Sequence, residues 1–200
     1  MRTGLLIAFE GIDGAGKTTQ LGLLASRLEQ RGWRVLRTKE PTDGPHGRRL
    51  RESARAGRLP ADEELELFLR DRAEHVEHVI RPALARGEAV LVDRYVWSTA
   101  AYQGARGLDP SAILARNAAF PVPDLVVLLD VDPAVGVGRV RARDQRENLF
   151  EQLEALTDAR RIFLALVAPP VVRIDGDRPI AHVAAEILNA LGALADPPGG

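Results

Sequence analysis

The stretch EGIDGAGKTT, Glu10 to Thr19, constrains this chain more than any other. Gly11, Gly16, Lys17 and Thr18 fit the spacing G-x-x-x-x-G-K-[ST], which average residue usage would produce by accident in roughly one chain in a hundred of this length. An apolar run, LLIAF (Leu5 to Phe9), precedes it and a helical pattern follows, so the chain must make a strand, a tight loop and a helix in succession. In such a loop glycines let backbone N–H groups close around phosphate oxygens, and the start of the helix adds partial positive charge. Lys17 is expected to reach the β and γ phosphates of a nucleoside triphosphate, and the Thr18 hydroxyl to ligate Mg²⁺. Of 27 basic residues only Lys17 and Lys39 are lysine, the rest being arginine. The loop keeps its lysine, where a compact ammonium on a flexible stem suits a phosphate.

Short apolar runs alternate with longer helical patterns along the whole chain. The expected strands are 5–10, 33–38, 89–93, 125–131 and 171–175; the expected helices are 17–31, 62–86, 97–105, 110–119, 133–142, 149–167 and 179–194. The strands are continuously apolar rather than alternating, as a parallel sheet covered on both faces requires. This predicts a three-layer α/β domain, a five-stranded parallel sheet with helices on both faces, spanning 1–194. PTDGPHG (41–47) reads as turns. RARDQREN (141–148) has three arginines, two acids and no large apolar residue, so it is expected to cover a surface. Residues 195–200, ADPPGG, read as a disordered tail.

The net charge of −1 offers no basic field for nucleic acid or an anionic membrane. The lack of cysteine excludes disulfides, thiolate catalysis and cysteine–metal sites. LLIAF is too short for a signal-peptide core or a membrane span. The expectation is a cytoplasmic domain with no nucleic-acid or membrane partner.

A second chemical string, DRYVWSTAAYQG (93–104), directly follows the run AVLVD. Asp93 therefore falls at the carboxyl end of a strand, where open α/β sheets bind ligands, and can hold Mg²⁺ or its water. Arg94 offers a planar fork suited to a phosphate. Phe68 and Arg72 lie four apart on one helix face, so a ring could stack on a base while a guanidinium donates to its edge. No N-K-x-D guanine signature occurs. These residues alone leave open a nucleotide kinase, a kinase of some other small acceptor, and a nucleotide-dependent switch; the last would give Phe68, Arg72, Tyr102 and Gln103 no purpose.

The chain resembles the thymidylate kinase family from residue 4 to about 194. The resemblance rests on EGIDGAGKTT, KEPTDGP, FLRDRAEH (68–75), DRYVWSTAAYQG, PDLVVLLDVDP (123–133) and the arginine-rich 141–148, with D-R-Y-x-x-S-x-x-A-Y-Q the most specific. It implies the P-loop NTPase fold with a short lid at about 141–150, a homodimer, and phosphorylation of dTMP to dTDP with Mg-ATP. The loop residues Gly11, Ile12, Asp13, Gly14, Ala15, Gly16, Lys17 and Thr18 would bind ATP, with Thr18 and Asp93 holding the metal. Asp13 would also lie near the acceptor phosphate, and Arg94 would clamp it. Phe68 would stack on thymine, Arg72 would bond its edge, Tyr102 would crowd the sugar 2′ position, and Gln103 would contact base or sugar. Ser98 and Pro41 would shape the pocket. In this family a further catalytic arginine comes from the phosphate loop or from the lid; with glycine and alanine at 14 and 15, the lid is implied, through Arg143 or Arg146. Arg139 or Arg143 would pack near adenine. Lys39 departs from the arginine that many relatives carry before Glu40-Pro41.

Overall fold

The computed structural model describes residues 4–144, 149–166 and 170–197, with their side chains except those of 143, 144 and 149–152. At the centre lies β1 (Leu5–Glu10), buried along its whole length. β3 (Ala89–Asp93) pairs with one side of it and β4 (Leu125–Asp130) with the other. β2 (Val35–Lys39) and β5 (Val171–Asp175) form the edges, giving the order β2-β3-β1-β4-β5 with every pairing parallel. The expected five-stranded parallel sheet is present. Its edge strands are only partly buried, because continuous burial needs neighbours on both sides as well as on both faces.

Alternate residues of β1 serve the two layers. Leu5, Ile7 and Phe9 pack with Leu21, Leu24 and Leu28 of α1 (Lys17–Gln30), Phe163 of α8 (Leu149–Ala165) and Ile187 of α9 (Ile180–Leu191). Leu6 and Ala8 face the other way, toward Val76, Ile80 and Leu84. With helices covering both faces, the ligand-binding edge is the row of loops beyond the carboxyl ends of β1, β2 and β3.

Three departures from the expected elements have local causes. The predicted helix 62–86 is divided into α3 (Ala61–His75), a π-helical turn Val76–Ile80 and α4 (Arg81–Ala85). Pro82 has no N–H to return to the preceding turn, and the wider register there bonds the Arg81 N–H to the Val76 carbonyl. The turn-rich 41–47 gives way at Pro45 to an unanticipated helix, α2 (Pro45–Ala56), because a proline ring suits a first helical position. α6 (Pro110–Arg116) stops short of 119, where the buried Asn117 turns its amide back onto the Ile113 carbonyl.

α5 (Val96–Gly104) and α7 (Pro133–Asp144) lie within two residues of expectation. Trp33 precedes β2 and donates its ring N–H to the carbonyl of buried Ala195, at the end of a 3₁₀ turn Gly192–Ala195. Residues 198–200 of the expected tail lie outside the described residues.

Candidate active site

The loop between β1 and α1 wraps around its own lysine. Lys17 Nζ donates to the carbonyls of Gly11 at 3.0 Å and Ile12 at 2.8 Å. Burial and the nearby Arg94 push the ammonium down to about 7, against the pull of Asp13, Asp93 and Glu10. No side chain caps the start of α1, which leaves its N–H groups for an anion. Thr18 Oγ1 donates to Asp93 Oδ2 at 2.6 Å, so a hydroxyl and a carboxylate meet at the carboxyl end of β3. These hard oxygens suit Mg²⁺. Arg139 of α7 reaches the Gly14 carbonyl at 3.3 Å and lies 3.4 Å from Asp177, just beyond β5.

Helix α7 seals the loop from behind through two glycines. A Cβ on Gly14 would lie 2.2 Å from the Gly136 carbonyl oxygen, and one on Gly136 would lie 2.6 Å from that of Asp13. This contact leaves position 14 no room for a side chain, and Ala15 beside it is buried. Gly136→Ala is expected to destabilise the protein by about 2 kcal/mol, since backbone must move to admit the methyl. It should also weaken ATP binding by displacing the loop. Urea unfolding and ATP titration check both, and wild-type values in each would refute the contact.

Arg94 follows β3 with φ at 69°, a left-handed conformation that costs a non-glycine residue about 1–2 kcal/mol. The bonds around it hold that geometry. Its own N–H donates to the Phe9 carbonyl at 2.9 Å, and the N–H of Tyr95 donates to Glu10 Oε1 at 2.9 Å. Ser98 donates its hydroxyl to the other oxygen of Glu10 and lies 3.2 Å from Arg94 Nη1. Nη2 pairs with Asp13 Oδ1 at 2.5 Å, and the guanidinium carbon lies 5.0 Å from the Tyr102 ring centroid. Burial opposes the charge, but Tyr102, Asp13, Asp93 and Glu10 outweigh it and hold the guanidinium above its usual pKa. Burial pushes Glu10 up as well, against the Ser98 bond and Arg94. Tyr102 is raised by burial to about 12, and its oxygen accepts the Asp13 N–H at 2.9 Å.

Two cavities meet at this arginine. One of about 410 Å³ is lined by Asp13, Gly14, Gly16, Lys17, Thr18, Asp93, Arg94 and Arg139 among others. The second, about 180 Å³, is lined by Asp13, Pro41, Phe68, Arg72, Arg94, Ser98, Tyr102 and Gln103, together with Glu40, Arg58, Tyr95 and Thr99. Every residue expected at the acceptor site thus lies on one wall system, and Asp13 and Arg94 belong to both cavities.

The thymidylate kinase family model matches residues 9–187. The chain belongs to the thymidylate kinase family. It is similar to the thymidylate kinase of Xanthomonas campestris pv. campestris strain B100, 57% identical over 166 residues that cover 83% of this chain and 73% of the relative. It is also similar to the thymidylate kinase of Akkermansia muciniphila, 50% identical over 191 residues, 95% of this chain and 92% of the relative.

Within that frame several placements are informative. Gln103 is fully buried, its amide donating to Glu64 Oε2 at 3.2 Å and its carbonyl accepting from Arg106 at 3.3 Å. Lys39 lines neither of the two cavities and pairs instead with Asp43 at 3.7 Å. Arg146 lies outside the described residues, as does the side chain of Arg143 at the end of α7. Sequence reasoning missed Glu10, Glu40, Arg58, Tyr95 and Thr99. Glu10 ends β1 and Glu40 immediately follows β2, so their position at strand ends was a usable signal. Arg58 had none: it is delivered by the turn after α2, also at positive φ, and tied to Glu64 at 2.7 Å.

Proposed function

We propose that this protein transfers the γ-phosphoryl group of ATP to the phosphate of dTMP, forming dTDP and ADP. The observation that carries this reading is the sharing of Asp13 and Arg94 between the phosphate-loop cavity and the cavity lined by Phe68, Arg72 and Tyr102. Family membership supports the same substrates.

A phosphate oxygen of dTMP attacks the γ-phosphorus, and the bond to the oxygen bridging to the β-phosphorus breaks. The acceptor is already largely ionised near neutral pH, so no side chain has to take a proton. Alignment, exclusion of water and neutralisation of charge are the tasks left to the protein. Lys17 leaves the Gly11 and Ile12 carbonyls for the β and γ phosphates. Arg94, on the wall of both cavities, bridges the acceptor phosphate and the migrating group. Thr18 and Asp93 would hold Mg²⁺, which screens phosphate charge when bound. Arg139 faces the ATP side, and Arg143 or Arg146 supplies a last positive charge from the lid. Phe68 stacks on the base, Arg72 meets its carbonyl edge, and Tyr102 occupies the space a 2′-hydroxyl would need. Homodimeric assembly and a cytoplasmic location belong to the same reading.

A coupled ADP-release assay with Mg-ATP and a panel of dTMP, dUMP, UMP, CMP, AMP, GMP and thymidine tests it. Strong preference for dTMP is expected, with the gap between deoxy and ribo substrates narrowing in Tyr102→Ala. Activity with thymidine but not dTMP rejects the reading, and ATP hydrolysis indifferent to every acceptor rejects kinase chemistry altogether.

A further inference from the structure

Arg72 lies at the centre of a buried polar chain that leads away from the acceptor cavity. Its Nε donates to Glu40 Oε2 at 2.9 Å, and Nη2 stands 2.7 Å from the same oxygen. Nη2 also donates to Thr99 Oγ1 at 2.9 Å, and Nη1 donates to Asn117 Oδ1. Among the described residues, these contacts leave one Nη1 N–H without a protein partner. The other oxygen of Glu40 lies 2.9 Å from His75 Nδ1, and His75 Nε2 lies 2.7 Å from Thr38 Oγ1. Glu40, Arg72 and His75 are each 5% exposed or less, so water cannot easily replace a lost partner.

The chain is built by two elements. Thr38 lies on β2 with Glu40 just beyond it, and Arg72 and His75 are one turn apart on α3. The α-helical register ends at His75, where the π-helical turn begins. A neutral imidazole with its proton on Nδ1 donates to Glu40 and accepts from the Thr38 hydroxyl, satisfying both contacts. Without that donor, Glu40 keeps a buried carboxylate oxygen unpaired and must rotate to satisfy it. A guanidinium is a rigid planar fork, so rotating the carboxylate re-aims every Arg72 N–H, including the uncommitted one.

We infer that His75 is a positioning residue for base recognition: through Glu40 it fixes the plane of Arg72, so that the remaining Nη1 N–H meets the carbonyl edge of the pyrimidine. This rests on the reading that Arg72 contacts the base of dTMP. His75 itself touches neither substrate cavity wall where Phe68 and Arg72 stand. On its other side, His75 and Thr38 line a cavity of about 730 Å³ that shares Thr18 and Asp93 with the phosphate-loop cavity.

The test uses the full chain and five variants: Arg72→Ala, His75→Phe, His75→Gln, Thr38→Val and the double variant Arg72→Ala with His75→Phe. Each is assayed for kcat, for the KM of dTMP and of ATP, and for preference for dTMP over dCMP, which carries an amino group in place of the 4-carbonyl. His75→Phe is expected to raise the dTMP KM by about tenfold and to narrow the dTMP/dCMP preference, with the ATP KM within about twofold of wild type. His75→Gln should restore both, since one amide can donate to Glu40 and accept from Thr38. Adding His75→Phe to Arg72→Ala should cost no more than Arg72→Ala alone, because the two act through one guanidinium.

An unchanged preference in His75→Phe overturns the proposal, and so does an equal rise in both KM values, which marks a general structural role. If His75→Phe does not fold, Thr38→Val carries the test, with the same pattern at smaller size expected and an unchanged preference overturning it. An Arg72→Ala variant with wild-type preference overturns the base-contact reading and the proposal with it. An altered Arg72→Ala beside an unaltered His75→Phe overturns the proposal alone.

Discussion

Replacing Arg94 by alanine is expected to lower turnover with dTMP by about a thousandfold, the scale of an arginine that neutralises a migrating phosphoryl group. The size follows from its place on both cavity walls, where the proposed reaction has one guanidinium serve the acceptor and the transferred phosphate together. The ATP KM should change far less, because in the proposed reaction Lys17 and the loop amides hold the triphosphate without Arg94. Stability is a weaker readout. Alanine keeps the strain of φ at 69° but loses the Asp13 pair and the Tyr102 ring contact. Arg94→Lys should recover only part of the rate, since a point charge cannot bridge two oxygens as a fork does. Single-turnover measurement at saturating ATP and dTMP checks this, and an Arg94→Ala rate within tenfold of wild type would remove Arg94 from the chemistry.

Lys17→Met is expected to reduce turnover on a similar scale, by about a thousandfold, and to change how stability depends on pH. The folded-state pKa of Lys17 is about 7, against 10.5 for an ordinary lysine. Between those values the unfolded chain binds one proton more than the folded one, so this group makes stability rise with pH across that window. Below pH 7 both states are protonated and the contribution is flat, with the folded state carrying the cost of a buried charge. The wild type should therefore gain on Lys17→Met by about 1 kcal/mol per pH unit from pH 7 to pH 9, measured by urea unfolding without nucleotide. ATP phosphates favour the ammonium, so binding at pH 8 should take up protons, visible as buffer-dependent binding enthalpy. A constant stability difference across that pH range would show that the lysine titrates normally.

The parts of this site that were legible in the sequence are those that local geometry determines. Lys17 and Thr18 follow from a contiguous loop, Asp93 and Arg94 from adjacency to a strand end, and the shared face of Phe68 and Arg72 from spacing on one helix, whereas Pro41, Ser98, Tyr102 and Gln103 were expected only through the resemblance to the family. The three central strands followed from continuous apolar runs, because burial on both faces leaves no other pattern, whereas the half-exposed edge strands Val35–Lys39 and Val171–Asp175 carry arginine, lysine or aspartate within them. The helix Pro45–Ala56 was missed because its proline and its one glycine, Gly47, are turn formers, and its few buried residues, Gly47 and Leu50, give little periodicity to read.

The sequence by itself therefore determined the fold class and the strand–loop–helix that carries the phosphate-loop motif, and it pointed to some of the side chains that line the second cavity. Only the tertiary structure decided how those side chains are held. Glu10 meets Ser98 across 88 positions, Glu40 meets Arg72 across 32 and His75 across 35, and Gln103 meets Glu64 across 39. An acid in a sequence is equally consistent with a solvated surface, and only a neighbour brought from another element turns it into a buried acceptor. EGIDGAGKTT announces a phosphate loop wherever it occurs. That its Asp13 stands beside Arg94, and its Gly14 against Gly136, follows from the packing of β3 and α7 onto that loop. Such contacts depend on how the chain is folded in space, and no spacing along it encodes them.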